Sequence, residues 1–241
     1  MRFNGIDLMD VHPAISRCKD LPPGLARRSL TSVQTGRRDL VLGVNLEPDE
    51  YTVRVNIAAR SYKEAMEACD RLAEWAASSG NTTGWLEPTH MPGKAYRAIV
   101  KSVSRIEERF GTVDVVFALP DPVKYGSMEQ SHEATDRDLV MMAAGTAEMQ
   151  PVITFAAKEA AEGLEIVKDG KPLIAITGAV NAGDVLEVTL ETGKVLVNGE
   201  DAGSRVDYTK TDFDAGFGKG RHVLSANRSG TLKARWRDAW Q

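Results

Sequence analysis

The sequence predicts a mainly β protein carrying one packed helix, and three observations predict it. A single segment, Ser61 to Ser79, keeps the helical period. Short runs such as Tyr51 to Ile57 alternate apolar and polar residues, as half-buried strands do. From Met149 onward, short strands recur at regular spacing with turn residues between them, the pattern of a β-sandwich.

The helix is bounded by its own chemistry. Ser61 with Glu64 three residues later makes a capping box, and Gly80 supplies the stop, which places the helix at about 62–79. Ala65, Cys69, Leu72 and Ala76 form a narrow apolar stripe of small side chains, so the helix can lie close against a sheet. Cys69, on that stripe, reads as a buried small hydrophobe rather than a reactive thiol.

Before the helix, residues 11–28 contain His12-Pro13 and Leu21-Pro22-Pro23-Gly24, which is turn and loop chemistry. Leu40 to Val44 and Tyr51 to Ile57 read as strands joined by a turn at 47–50, the second with Tyr51, Val53, Val55 and Ile57 on one face. After the helix, Trp85 to Pro88 begins a return to strand. Tyr96 to Val103 and Thr112 to Leu119 form an antiparallel pair, and Pro120-Asp121-Pro122 stops it. Residues 123–148 are polar and irregular apart from a helix-capable piece near Asp138 to Ala144. The expected organisation is therefore an N-terminal β-sandwich or barrel-like domain over 1–126 with the one helix, a linker over 127–148, and a C-terminal β-sandwich over 149–241.

In that second domain the clearest strands are 151–156, 164–167, 173–177, 185–190 and 195–197. Asp169-Gly170, Asn181 to Asp184, Thr192-Gly193 and Asn198-Gly199 are their turns, and Asn-Gly favours the φ > 0 geometry of a tight hairpin. Leu232, Ala234 and Trp236 alternate near the end and close a sheet.

Composition narrows the function classes. Residues 1–125 hold 17 Lys/Arg and 16 Asp/Glu, whereas residues 126–241 hold 13 and 18, so the net charge of −4 sits in the second half. Arg27-Arg28 and Arg37-Arg38 are the only tight basic pairs, too little for a nucleic-acid reader's basic face, and they read as loop or subunit-contact arginines. Nothing approaches the roughly 18 consecutive apolar residues of a membrane span, and the first residues lack the apolar core of a signal peptide. Two cysteines, Cys18 and Cys69, are too few for a disulfide scaffold and suit a reducing cytoplasm.

The search for chemistry yields no catalytic set and no cofactor. His12, His90, His132 and His222 share no metal-ligand spacing with one another or with a cysteine, so no metal is expected. Gly216-Phe217-Gly218-Lys219-Gly220 lacks the full phosphate-loop pattern and reads as a flexible turn. No Gly-x-Ser-x-Gly elbow is present. The acidic run Asp207 to Asp214, with Tyr208 and Phe213, reads as an acidic loop on a sandwich edge, although acids beside aromatics can line a sugar groove. Trp240, beside the C-terminus, is the best intersubunit contact among the tryptophans.

The order of parts then carries a resemblance. The opening Phe3-Asn4-Gly5-Ile6-Asp7-Leu8, the lone helix ending in Leu72-Ala73-Glu74-Trp75, and the exit Leu119-Pro120-Asp121-Pro122-Val123-Lys124-Tyr125-Gly126 resemble the distal tail (Dit) protein family of long-tailed siphophages. Gly183 to Thr189 followed by Gly193 to Gly199 is similar to that family's C-terminal sandwich hairpin.

The resemblance implies a structural virion protein without enzymatic activity or cofactor, whose C-terminal domain is a galectin-like sandwich. It implies a homohexameric ring at the distal end of the tail, made and assembled in the bacterial cytoplasm. The ring would join tail tube protein to tail-tip hub protein, with the tape measure protein a further candidate partner, and DNA would pass through its lumen without specific binding. It also implies an arm toward the neighbouring subunit over about Arg17 to Arg38, with Arg27, Arg28, Arg37 and Arg38 at ring or ring-partner contacts. The rival readings are a carbohydrate-binding adhesion module using the C-terminal sandwich, and a glycan-cleaving tail enzyme using Asp212 or Asp214.

Overall fold

The computed structural model describes residues 1–22, 28–35, 38–104 and 110–241, and the chain divides into two compact units, Met1–Ser127 and Met128–Trp240. In the first unit the strands are β1 (Arg2–Phe3), β2 (Ile6–Asp7), β3 (Ile15–Leu21), β4 (Arg28–Thr35), β5 (Arg38–Leu46) and β6 (Asp49–Ala58). Helix α1 (Tyr62–Ala76) follows, then β7 (Gly84–Glu87), β8 (Lys94–Val103) and β9 (Phe110–Gly126). Seven of these strands form one antiparallel sheet in the order β2-β1-β7-β8-β9-β6-β3, while β4 and β5 pair with each other. The class anticipated from the sequence, mainly β with one α-helix, is the class observed.

Helix α1 packs on β6, β8 and β9. Ser61 caps it by accepting from the Glu64 amide at 3.2 Å, and Gly80 at φ 60° closes the 3-10 turn Ala77–Ser79 that continues it. The face against the sheet is Ala65, Ala68, Leu72, Trp75 and Ala76. Cys69, expected on that stripe, is only partly buried at its margin, because Trp75 and Ala68 turn the contact surface away from it. Beneath the helix, Tyr51, Val53, Val55 and Ile57 present the buried face of β6, as their alternation requires. Phe3, Trp75 and Phe117 form an aromatic cluster: ring centroids are 4.9 Å apart for Phe3–Phe117, 5.9 Å for Phe3–Trp75 and 6.0 Å for Trp75–Phe117.

Two stretches read differently in three dimensions. Residues 15–21, expected as loop, form β3, whose alternation is broken by a register shift between Ile15 and Arg17 that hides the period. Strand β9 continues through Pro120 and Pro122, where a stop was expected. Its pairing with β8 steps from Ala118 to Asp121 and from Asp121 to Lys124, so both prolines fall in irregular steps that ask no ladder hydrogen bond of them. Asp121 braces this passage by accepting from the Val123 amide at 3.2 Å and from the Tyr125 hydroxyl.

The second unit contains β10 (Gln130–Thr135), β11 (Leu139–Ala143), β12 (Val152–Ala157), β13 (Ala161–Lys168) and β14 (Lys171–Val180). It continues with β15 (Val185–Thr189), β16 (Lys194–Val197), β17 (Glu200–Asp201), β18 (Gly220–Ala226), β19 (Gly230–Trp236) and β20 (Ala239–Trp240). One sheet runs β10-β19-β12-β15-β16-β17 and the other β11-β18-β13-β14. Phe155, Leu186 and Val197 of the first meet Leu164, Ile176 and Val180 of the second, so the two sheets pack as a sandwich. The hairpin turns Asp169-Gly170 and Asn198-Gly199 have φ of 50° and 79°, and of 53° and 83°, the mirror-turn geometry their sequences ask for.

Strands β10 and β11 occupy the stretch read as linker. Leu139, Met141 and Ala143 are buried while Val140 and Met142 are outside, so the helix-forming residues of this piece take a strand period when set beside β18.

Candidate assembly surface

Strands β4 and β5 form a ribbon of their own, outside the larger sheets. Its ladder runs from Arg28↔Leu46 to Thr35↔Arg38 with one bulge between Thr31 and Ser32, and neither strand pairs with any other described strand. A two-stranded ribbon alone is marginally stable in water and presents two rows of unpaired backbone groups. At about 3.4 Å per residue it is roughly 25 Å long. It leaves the sheet between β3, which ends at Leu21, and β6, which begins at Asp49.

Of the arginines singled out in the sequence, Arg28 and Arg38 begin the two ribbon strands and stand at opposite ends of the ladder, so the structure does not bring them together. Arg27 and Arg37 lie outside the described residues. Trp240 is half-buried in β20, beside Ala239, which is itself held by the Ala147 amide at 2.9 Å.

At the root of the ribbon lies a polar cluster that sequence reading missed. Asp20 on β3 has a side chain 10% exposed; its Oδ2 accepts from the Thr89 amide at 3.1 Å and meets His90 Nδ1 at 3.1 Å. Tyr51 Oη is 3.5 Å from the same ring nitrogen. Burial, and then the Asp20 carboxylate, push the Tyr51 phenol well above its ordinary range. Asp20 Oδ1 is buried without a hydrogen-bond partner among the described residues. Seventy positions separate Asp20 from His90, and no local motif announces their meeting.

The sheet face away from α1 carries charge in pairs. Arg54 donates twice to Asp114, from Nε and from its guanidinium Nη2, at 2.8 Å each, and Lys101 pairs with Glu50. The two hydrogen bonds from Arg54 hold the Asp114 carboxyl below the usual carboxylate range.

In the second unit the acids near Tyr208 act on their own backbone. Asp207 accepts from Thr209 N at 3.0 Å and from Thr209 Oγ1 at 2.6 Å, and Asp212 accepts from the Asp214 amide at 3.1 Å. These are loop-shaping contacts rather than an acid–base pair aimed at one point. Among the described residues, every carboxyl with a displaced pKa is displaced downward, whereas a general acid needs the reverse. A hollow of about 410 Å³ is rimmed by Asp136, Arg137, Asp138, Asn227 and Arg228. Its aromatic floor residue, Phe155, is fully buried and offers no ring face for a sugar to stack on. Among the described residues, no group of three or more His, Cys, Asp or Glu is placed to hold a metal, and no helix is long and apolar enough to cross a membrane.

Comparison with known proteins agrees with this architecture. Residues 144–240 match the family model described as siphovirus-type tail component, C-terminal domain (SPP1 Dit). Over its whole length the chain has the fold of the Dit protein (gp 19.1) of phage SPP1, described as a paradigm of the hub adsorption apparatus in phages infecting Gram-positive bacteria. The TM-score is 0.76 at 16% identity, covering 100% of this chain and 98% of that one. Chains of the phage P2 baseplate in its activated conformation are also similar. With Ca the TM-score is 0.56 at 8% identity, covering 92% and 91% of the two chains; with Sr it is 0.54 at 9%, covering 91% and 90%. No curated protein matches the chain in sequence.

Proposed function

We propose that this chain, a Dit-family tail component by its matched C-terminal unit and its whole-length fold, is the distal tail ring of a siphophage. In this reading it is a non-enzymatic virion protein. Six copies close into a ring at the distal end of the tail, assembled in the bacterial cytoplasm. The ring joins tail tube protein to tail-tip hub protein, meets the tape measure protein, and lets DNA pass.

The observation that carries the reading is the likeness to the SPP1 Dit protein, which spans both units and leaves no part of this chain over. The ribbon supports it. A heterologous ring must close at a fixed rotation, and a strand pair that no other described strand joins can offer backbone groups for a neighbouring copy to complete. The paired charges on the outer sheet face and the net −4 of the chain fit a protein past which a polyanion slides, because free phosphate-binding cations would hold it.

Immunogold labelling of intact virions with antibody raised against the chain tests the placement. Label confined to the tail end away from the head is the expected result. Label along the whole tail, on the head or on no particle would overturn it.

A further inference from the structure

His222 differs from His12, His90 and His132 in the company its ring keeps. Its Nδ1 lies 3.2 Å from Asp169 Oδ2 and its Nε2 lies 2.7 Å from the Gly218 carbonyl oxygen. Both partners are acceptors. A neutral imidazole carries one N–H and can satisfy only one of them, leaving a lone pair facing an oxygen at the other; the imidazolium satisfies both. The side chain is 13% exposed, so water substitutes poorly for either bond.

The two acceptors belong to different parts of the unit. Asp169 sits in the β13–β14 turn and also accepts from the Val223 amide at 2.8 Å. Gly218 belongs to the segment 213–219, whose Phe217 is fully buried and exchanges two backbone hydrogen bonds with Met149, at 3.1 and 3.2 Å. The Phe217 ring stands edge-on to His222 with centroids 5.2 Å apart, and Lys168 fixes the same segment by donating to Gly216 O at 2.6 Å.

We infer that His222 is a proton-operated latch: as the imidazolium it ties the β13–β14 turn to the segment 213–219, and on losing one proton it gives up one of those two ties and loosens the segment.

The charged groups around it support the direction. From the β13–β14 side come the Asp169 carboxylate and the Lys168 ammonium. Burial pushes the Asp169 carboxyl up, but the Val223 amide and His222 outweigh it and hold the group below the usual range, so it faces the ring as a carboxylate. The segment itself carries Asp214 and Lys219 in its sequence, and Glu148 lies against Gly216. Strand β11 brings only the uncharged Met141 opposite His222, and Arg221, its neighbour on β18, alternates to the outer face. The latch is therefore closed while the ring holds both protons and open once it holds only one. It lies wholly within the second unit, so its fate is independent of any ring.

Amide hydrogen exchange of Phe217 and Met149 in the full chain, at pH 5.5 and pH 8.0 and corrected for intrinsic exchange, reads the latch directly. Loss of a charge-assisted hydrogen bond predicts an opening equilibrium at least about tenfold larger at pH 8.0. In His222→Gln, with a single-sided amide, the segment should open to the same extent at both values. Equal protection of the wild-type segment at the two pH values, or a His222→Gln variant that keeps the wild-type difference, would overturn the inference. Nitrogen-15 spectra of the wild-type imidazole provide a reading that needs no variant. Two protonated ring nitrogens at pH 5.5 are expected, and a bare nitrogen there would overturn the latch.

Discussion

Replacing Phe117 by Leu probes the contact that joins helix, sheet and N-terminus. The ring lies within the favourable aromatic range of both Phe3, at 4.9 Å and 56°, and Trp75, at 6.0 Å and 90°. Each such pair is worth about 0.5–1.5 kcal/mol beyond area burial, so losing both costs about 1–3 kcal/mol. Leucine keeps much of the volume, and the remaining mismatch in a fully buried site adds up to about 1 kcal/mol. A total near 2 kcal/mol changes the folded-to-unfolded ratio by a factor of roughly 30. The two units need not unfold together, so the assay is urea-dependent amide exchange followed separately in α1 and β6 peptides and in sandwich peptides. The first set should lose protection at lower urea and the second should not move. In a Trp75→Leu background the same change should cost about 0.5–1.5 kcal/mol less, the value of one pair. A cost below about 0.5 kcal/mol, or full additivity with Trp75→Leu, would refute the idea that these rings act as one cluster.

Further expectations concern the sandwich and the ribbon. A Cβ added at Gly230 would stand 2.4 Å from Phe155 Cζ and 2.5 Å from Ala156 O, so Gly230→Ala should destabilise the second unit by about 1–3 kcal/mol, measurable by sandwich-peptide exchange in urea. The Asp136 carboxyl is held below its ordinary value by Lys158, Ser229 and the Gly230 amide. A depressed folded pKa gives stability that is present above the unfolded value of about 3.9 and lost as pH falls through the folded one. Asp136→Asn should therefore lower the urea midpoint at pH 7, with the gap to wild type closing below about pH 4. Replacing residues 28–46 by a short Gly-Ser linker should leave exchange protection in α1 and β6 unchanged while abolishing ring assembly, which sizing chromatography with light scattering would read; rings assembled without the ribbon would contradict its proposed role.

What the sequence disclosed follows the strength of local signals. Helix α1 was legible because Ser61, Glu64 and Gly80 mark its ends, and β6 because Tyr51, Val53, Val55 and Ile57 alternate without interruption. Turns at 169–170 and 198–199 were legible from two residues each. Strand β3 was hidden by a bulge, the far half of β9 by prolines that sit in irregular steps, and β11 by Met and Ala, which favour helix until a neighbouring strand claims them. The ribbon was half-seen: Leu40 to Val44 read as strand, but its partner around Leu30 lacks a clean period. The Asp20–His90 contact of the polar cluster and the Asp169–His222 contact of the latch join residues 70 and 53 positions apart, and no spacing rule encodes such meetings.

The central claim is that copies of this chain close into a ring. Light scattering behind a sizing column, with negative-stain images of the main peak, tests it most directly. The account predicts a mass of six times 26.2 kDa and ring-shaped particles with a central hole, obtained with the chain alone or on adding its tube or hub partner. A species that stays at 26.2 kDa both alone and with those partners would contradict it.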